Sequence, residues 1–85
     1  MKVKVLFFAA LREQLGTSRE EIELPSDVTT VDALRNHLMS RGGAYRKLFE
    51  GKALIRAAVN QDMVQPSARI KAGDEVAFFP PVTGG

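Results

Sequence analysis

An α+β domain is what this sequence predicts: a mixed sheet of four to five strands covered on one face by one main helix. Three observations carry the prediction. Alternating, largely apolar runs open and close the chain, at 2–9 and 74–79. A stretch between them, starting at Val31, repeats its apolar residues with a helical period. Finally, 85 residues leave room for one core only, because a chain of this size buries just ~60–65% of the surface its unfolded form exposes.

In the opening run Val3, Val5 and Phe7 alternate with Lys2, Lys4, Leu6 and Phe8. A period of two with β-branched content indicates a strand, whose second face starts charged and ends apolar. Residues 9–15 read as a short helical turn closed by Gly16 as C-cap. Residues 18–24 form a second strand in which Glu21 and Glu23 alternate with Ile22 and Leu24. It pairs with the first in a hairpin-like unit and stops at Pro25-Ser26-Asp27. Thr29 or Thr30 then caps the helix, with Asp32 in the first turn where a carboxylate favours the dipole.

Val31, Leu34 and Leu38 fall at i, i+3 and i+7 and make one apolar stripe. Arg35, Asn36 and Ser40 lie outside it, and Gly42-Gly43 ends the helix. A short turn follows at 45–49. Residues 53–60 form a third strand with Ile55, Ala57 and Val59 inward. Asn60-Gln61-Asp62 turns into a brief segment at Met63-Val64, 66–73 is loop, and 74–79 is the last strand.

One stripe needs one apolar surface, so the helix covers one face of the sheet. The first and last strands are the most apolar and belong in the centre. A helical crossover between neighbouring strands makes them parallel and the connection right-handed. The result is the ubiquitin-like β-grasp. The folded domain is expected at 1–79, and 80–85 as an extended, flexible C-terminal Gly-Gly tail.

Composition excludes several function classes. The net charge of +2 is scattered, and the densest basic grouping, from Arg41 to Lys47, holds three cations interrupted by glycines. Nucleic acid, which needs a concentrated basic face, is therefore not an expected partner. The absence of cysteine removes disulfides and side-chain thiolates. The longest apolar run, 5–11, is too short to span a membrane and no cleavage pattern follows it, so a cytoplasmic domain without a membrane partner is expected.

Side-chain catalysis finds little support. His37 is the sole histidine and sits on the helix beside Leu38, where packing or solvation accounts for it. Glu20, Glu21 and Glu23 read as a solvated strand face rather than an acid–base pair. Gly16, Gly42, Gly43, Gly51 and Gly73 mark turns and caps without forming a phosphate-binding pattern. No metal-ligand spacing is present, so no metal site is expected.

What remains is the C-terminus. Pro80 and Pro81 stop the last strand, since proline cannot donate to a ladder. Val82-Thr83-Gly84-Gly85 follow as a short uncharged arm. At ~3.3–3.6 Å per extended residue, the six residues from Pro80 reach about 20 Å, enough to enter a partner's pocket. Two glycines without Cβ let the terminal carboxylate thread a narrow channel as bare backbone. The bland alternative is a frayed tail without consequence. A carboxylate resists nucleophiles until its oxygen becomes a leaving group. An ATP-using partner could turn the Gly85 carboxylate into an acyl-adenylate, and sulfur from outside would then leave a thiocarboxylate.

A second feature points to a partner. If Val76 and Phe78 face the helix, then Glu75, Ala77 and Phe79 face outward. Phe79 and Phe8 then share the helix-free side near the departing arm, with Met63 joining them from an exposed turn. Exposed apolar patches on small proteins usually mark partner surfaces. Cover by a longer loop, or reversed strand parity, is the competing reading.

Lys4-Val5-Leu6-Phe7-Phe8-Ala9, Leu11-Arg12-Glu13, Ala58-Val59-Asn60-Gln61 and the block from Gly73 to Gly85 together resemble the small subunit of molybdopterin synthase, essentially end to end. The Phe-Phe-Pro-Pro approach to Gly-Gly sets the chain apart from thiamin-type carriers. The resemblance implies a β-grasp sulfur carrier that is catalytic only within the synthase complex. It implies that an adenylating enzyme related to ubiquitin activators uses MgATP on Gly85, and that a sulfur donor protein leaves a thiocarboxylate there. The tail from Pro80 through Pro81, Val82, Thr83 and Gly84 then enters the large subunit. Two sulfur donations convert cyclic pyranopterin monophosphate into the molybdopterin dithiolene, within a heterotetramer of two small and two large subunits. It further implies that Phe8, Met63 and Phe79 contact partners; Met63 stands where leucine is familiar, and 41–52 matches least well. The alternatives are a ubiquitin-like modifier joined to lysines through Gly85, a carrier of another pathway, and an interaction module with a passive tail.

Overall fold

The computed structural model describes residues 1–50 and 55–80. Within them eight elements follow in order: β1 (Lys2–Phe7), α1 (Ala10–Leu15), β2 (Arg19–Glu23), α2 (Val31–Met39), α3 (Gly43–Glu50), β3 (Arg56–Val59), β4 (Asp62–Val64) and β5 (Glu75–Phe79). The five strands make one sheet in the order β2-β1-β5-β3-β4. β1 and β5 run parallel, while the β1–β2, β5–β3 and β3–β4 pairs are antiparallel. The fold is the ubiquitin-like β-grasp, with the two most apolar strands adjacent as their composition predicts.

The expected parity holds. Val3, Val5 and Phe7 of β1, Ile22 of β2 and Val76 and Phe78 of β5 turn inward and are buried. Val31, Leu34 and Leu38 of α2 form the opposing stripe, also buried. Thr30 caps α2 by accepting a hydrogen bond from the Ala33 amide at 3.1 Å. The centre is aromatic: Phe78 stacks on Phe7 with ring centroids 6.2 Å apart and meets the edge of Phe49 at 5.1 Å. Burying each such ring contributes ~1.5–3 kcal/mol.

Four expectations need correction. The turn expected at 45–49 is the helix α3, whose Leu48 and Phe49 are buried. The face of the sheet is thus covered by α2 together with α3. Gly42-Gly43 does not end α2, which closes at Ser40; Gly42, at φ 75°, is the reversal that launches α3. The helix α1 begins one residue late, because Ala9 takes φ 52° and ψ −127° as its N-cap. Met63 stands on the edge strand β4 rather than in a turn. Ala53, Gly51 and Lys52 lie outside the described residues.

Two polar devices hold the loops. Asn60 and Gln61, at φ 49° and 73°, make the two-residue turn between β3 and β4; positive φ at both positions matches the twist of the strands. Asp74 is buried, and its carboxylate accepts from the Asn60 amide at 3.0 Å and from the Lys71 N–H at 2.9 Å. Asn60 in turn accepts from the Glu75 N–H at 3.0 Å, tying that turn to the start of β5.

Candidate functional site

The face of the sheet turned away from the helices is built by strand register. Leu6 lies opposite Ala77, Ala77 opposite Ala58, and Ala58 opposite Met63. One apolar row therefore crosses four strands. Both alanines are sheltered, although no helix covers them. Beside this row stand Phe8 and Phe79, stacked with centroids 4.8 Å apart and planes within 7°. Phe8 lies just past β1, where its N–H donates to the Phe78 carbonyl at 3.2 Å and prolongs the parallel ladder. At the opposite end of the face the register turns charged, with Lys4 between Glu21 and Glu75.

Among the described residues, Phe8 and Met63 are the large apolar side chains left open, at 42% and 57% exposure. Phe79 is half-buried, and Pro80 directly after it is half-buried too. The structure thus brings Phe8 and Phe79 into contact at the root of the tail and sets Met63 on the same face at the far edge. Of the tail, Pro80 alone is described. Pro81, Val82, Thr83, Gly84 and the proposed reactive Gly85 lie outside the described residues.

Arg56, which no sequence motif singles out, lies opposite Phe79 in the β3–β5 register and is exposed. The alternation along 55–59 places it outward, but only the pairing with β5 brings it to the aromatic stack.

The acidic run on β2 turns out differently from a plain solvated face. Glu21 and Glu23 are exposed, whereas Glu20 forms a bidentate ion pair with Arg41 at 2.8 and 3.0 Å. The Tyr45 hydroxyl also donates to Glu20, at 3.2 Å. The Arg41 hydrogen bonds hold the Glu20 carboxyl below its ordinary range despite partial burial. Desolvation together with the Glu20 charge pushes the Tyr45 hydroxyl up. This cluster pins the start of α3 to the sheet edge. His37 stands half-buried on α2. Among the described residues no three of His, Cys, Asp and Glu converge on a possible metal site, and no helix is long and apolar enough to cross a membrane.

The ThiS family profile matches residues 5–85. The molybdopterin synthase sulfur carrier subunit of Escherichia coli strain K12 is 47% identical over 83 residues, 98% of this chain and 99% of the relative. Among solved structures, the small archaeal modifier protein 1 of H. volcanii superposes with a TM-score of 0.77 at 26% identity, over 95% of this chain and 98% of that one. A chain of the Amycolatopsis orientalis BexX/CysO complex superposes with a TM-score of 0.65 at 27% identity, over 98% and 99% of the two chains.

Proposed function

This chain belongs to the ThiS family, and on that footing we propose that it is the sulfur-carrier subunit of a molybdopterin synthase. The observation that carries the reading is the end-to-end match, at 47% identity, to a protein of that role. The division of labour on the chain supports it: the exposed Phe8–Phe79 stack lies on the helix-free face where the tail begins.

In this reading the chain supplies two things. The helix-free face, through Phe8, Phe79 and Met63, docks first on an adenylating enzyme and then on the large synthase subunit. The Gly85 carboxylate is the group that is loaded. The adenylating enzyme transfers AMP from MgATP to a carboxylate oxygen and releases pyrophosphate. Sulfur at the sulfide level, brought by a donor protein, then displaces AMP and leaves a thiocarboxylate. Inside the large subunit the thiocarboxylate sulfur attacks a carbon of cyclic pyranopterin monophosphate and displaces the oxygen substituent there, and water then cleaves the acyl C–S bond, leaving the sulfur on the pterin and restoring the chain's carboxylate. Two such donations give the dithiolene, so catalysis belongs to the assembly of two small and two large subunits in the cytoplasm.

The test is the intact mass after incubation with MgATP, the adenylating enzyme and a sulfur source. The expected result is replacement of one oxygen by sulfur, mapped to Gly85. Deleting Gly84 and Gly85 is expected to abolish the gain with an unchanged melting temperature.

A second reading, a protein modifier joined to lysines through Gly85, is favoured by the likeness to the archaeal modifier protein. Lysine conjugates in a cell extract, without loading by sulfur, would establish it in place of the first.

A further inference from the structure

The apolar row on the helix-free face does not end at Met63. At the β4 edge the surface dips into a cleft of about 450 Å³ between α2 and the β3–β4 hairpin, and Met63 lines both the patch and the cleft. Ile55, Ala57 and Val64 give the cleft an apolar floor, and Arg35 and Arg56 stand in its walls. Its volume lies within the ~300–1,000 Å³ range of pockets that take a ligand or a partner's side chains.

The two guanidinium groups differ. Arg35 donates from Nη2 to the Phe49 carbonyl at 3.4 Å, and its guanidinium lies 5.6 Å from the centre of the Phe49 ring. Its Nε is buried and has no hydrogen-bond partner among the described residues. Arg35 is therefore a fixed source of positive potential in the wall. Arg56 is exposed, lies across from Phe79 and sits where cleft and patch meet. Among the described residues no carboxylate lines the cleft. Apolar floor, two cations and no anion together define the complement: a carboxylate next to an apolar side chain. Arginine is the residue best suited to hold such a carboxylate through a planar fork.

We propose that the partner seated on the helix-free face also places an acidic, apolar segment in this cleft. Arg56 pairs with the segment's carboxylate, and Ile55, Ala57 and Val64 receive its apolar side chain. The proposal rests on the reading that the large synthase subunit docks on this face, and Arg56 would then select among possible partners by charge. A protein segment is favoured over a free small anion because Met63 makes cleft and patch one continuous surface.

The experiment titrates the isotopically labelled full chain with the large subunit, in parallel with Arg56→Glu and Arg56→Lys chains. Resonances of Ile55, Ala57 and Val64 are expected to shift together with those of Leu6 and Ala77. Arg56→Glu, its fold checked by its melting temperature, is expected to weaken binding about tenfold or more at low salt. Arg56→Lys, which keeps the charge but loses the fork, is expected to weaken binding by about threefold, between the wild type and Arg56→Glu. The proposal is overturned if the cleft resonances stay still, or if Arg56→Glu binds like the wild type, while Leu6 and Ala77 shift. In that event the docking reading survives. If Leu6 and Ala77 also stay still, the docking reading fails and takes the cleft with it. Cleft shifts produced by inorganic phosphate but not by the large subunit would overturn it in favour of a small-anion site.

Discussion

Phe78 and Phe79 are consecutive in β5, yet they belong to different molecules in energetic terms. Phe78 is fully buried between Phe7 and Phe49, on the face covered by the helices. Phe79 is half-buried and stacks on the exposed Phe8, on the face left open. One side of the sheet is closed by packing within the chain. The other carries an apolar surface that the described residues do not close. Strand alternation is the whole cause: a period of two sends neighbouring residues to opposite faces, so one short strand can serve stability and recognition at once.

The largest expected effect separates the two rings. Phe78→Ala should cost about 3–5 kcal/mol of folding stability, much of the ~5–15 kcal/mol a domain possesses. Phe79→Ala should cost about 1 kcal/mol in folding but more than about 1 kcal/mol in binding the large subunit. Urea unfolding of both variants, with a titration of the large subunit into Phe79→Ala, checks the contrast. Equal losses of stability would erase the distinction between the faces.

That contrast was legible in the sequence because alternation in 2–8 and 75–79 is local. So were the cap at Thr30 and the stripe of Val31, Leu34 and Leu38. The helix α3 is hidden in the sequence because Gly42-Gly43 reads as a stop. Gly42 instead provides the reversal between two helices, and the spacing of Tyr45, Leu48 and Phe49 at i, i+3 and i+4 was the signal available. The pairing of Asp74 with Asn60, and of Arg56 with Phe79, joins residues far apart in the chain. Nothing local announces that β3 will lie beside β5, so tertiary register alone reveals both.

A middle-sized effect tests whether the two faces share a support. Asp74 gathers the Asn60 amide and the Lys71 N–H at the charged end of β5. Asp74→Ala removes the charged acceptor from both of these partly buried hydrogen bonds, at a cost of about 1–3 kcal/mol. Stability should fall by that amount, while partner affinity, measured where the variant is folded, should stay close to wild type. A matching loss of affinity would mean that the clamp shapes the docking face directly.

A smaller effect, opposite in sign, comes from the open face. Ala9, next to Phe8, occupies φ 52° and ψ −127°, a conformation that a Cβ disfavours. Such strain is worth about 1–3 kcal/mol, and glycine returns some of the gain through a more flexible unfolded chain, about 0.4–1 kcal/mol. Ala9→Gly is therefore expected to stabilise the fold by about 1 kcal/mol, a rise in melting temperature of about 4–8 °C for a domain of this size. A lower melting temperature would show that the backbone at Ala9 is unstrained.

The smallest effect concerns the polar edge of the covered face. Glu20 is held by Arg41, and its carboxyl lies below the ordinary value of 4.5. A depressed folded value means that the pair's contribution is fully present above that ordinary value and is lost as pH falls through the folded one. Both side chains are 32% exposed, so screening limits the pair to about 0.2–1 kcal/mol. Tyr45 works in the other direction, since its raised hydroxyl removes stability as pH climbs past its ordinary value of 10.0. In urea titrations the wild type should exceed Glu20→Gln by a constant margin near neutral pH, and the margin should close as the pH falls through the depressed Glu20 value. A margin that persists in strong acid would assign the stabilisation to hydrogen-bond geometry, which glutamine alters at every pH, rather than to the charge of Glu20.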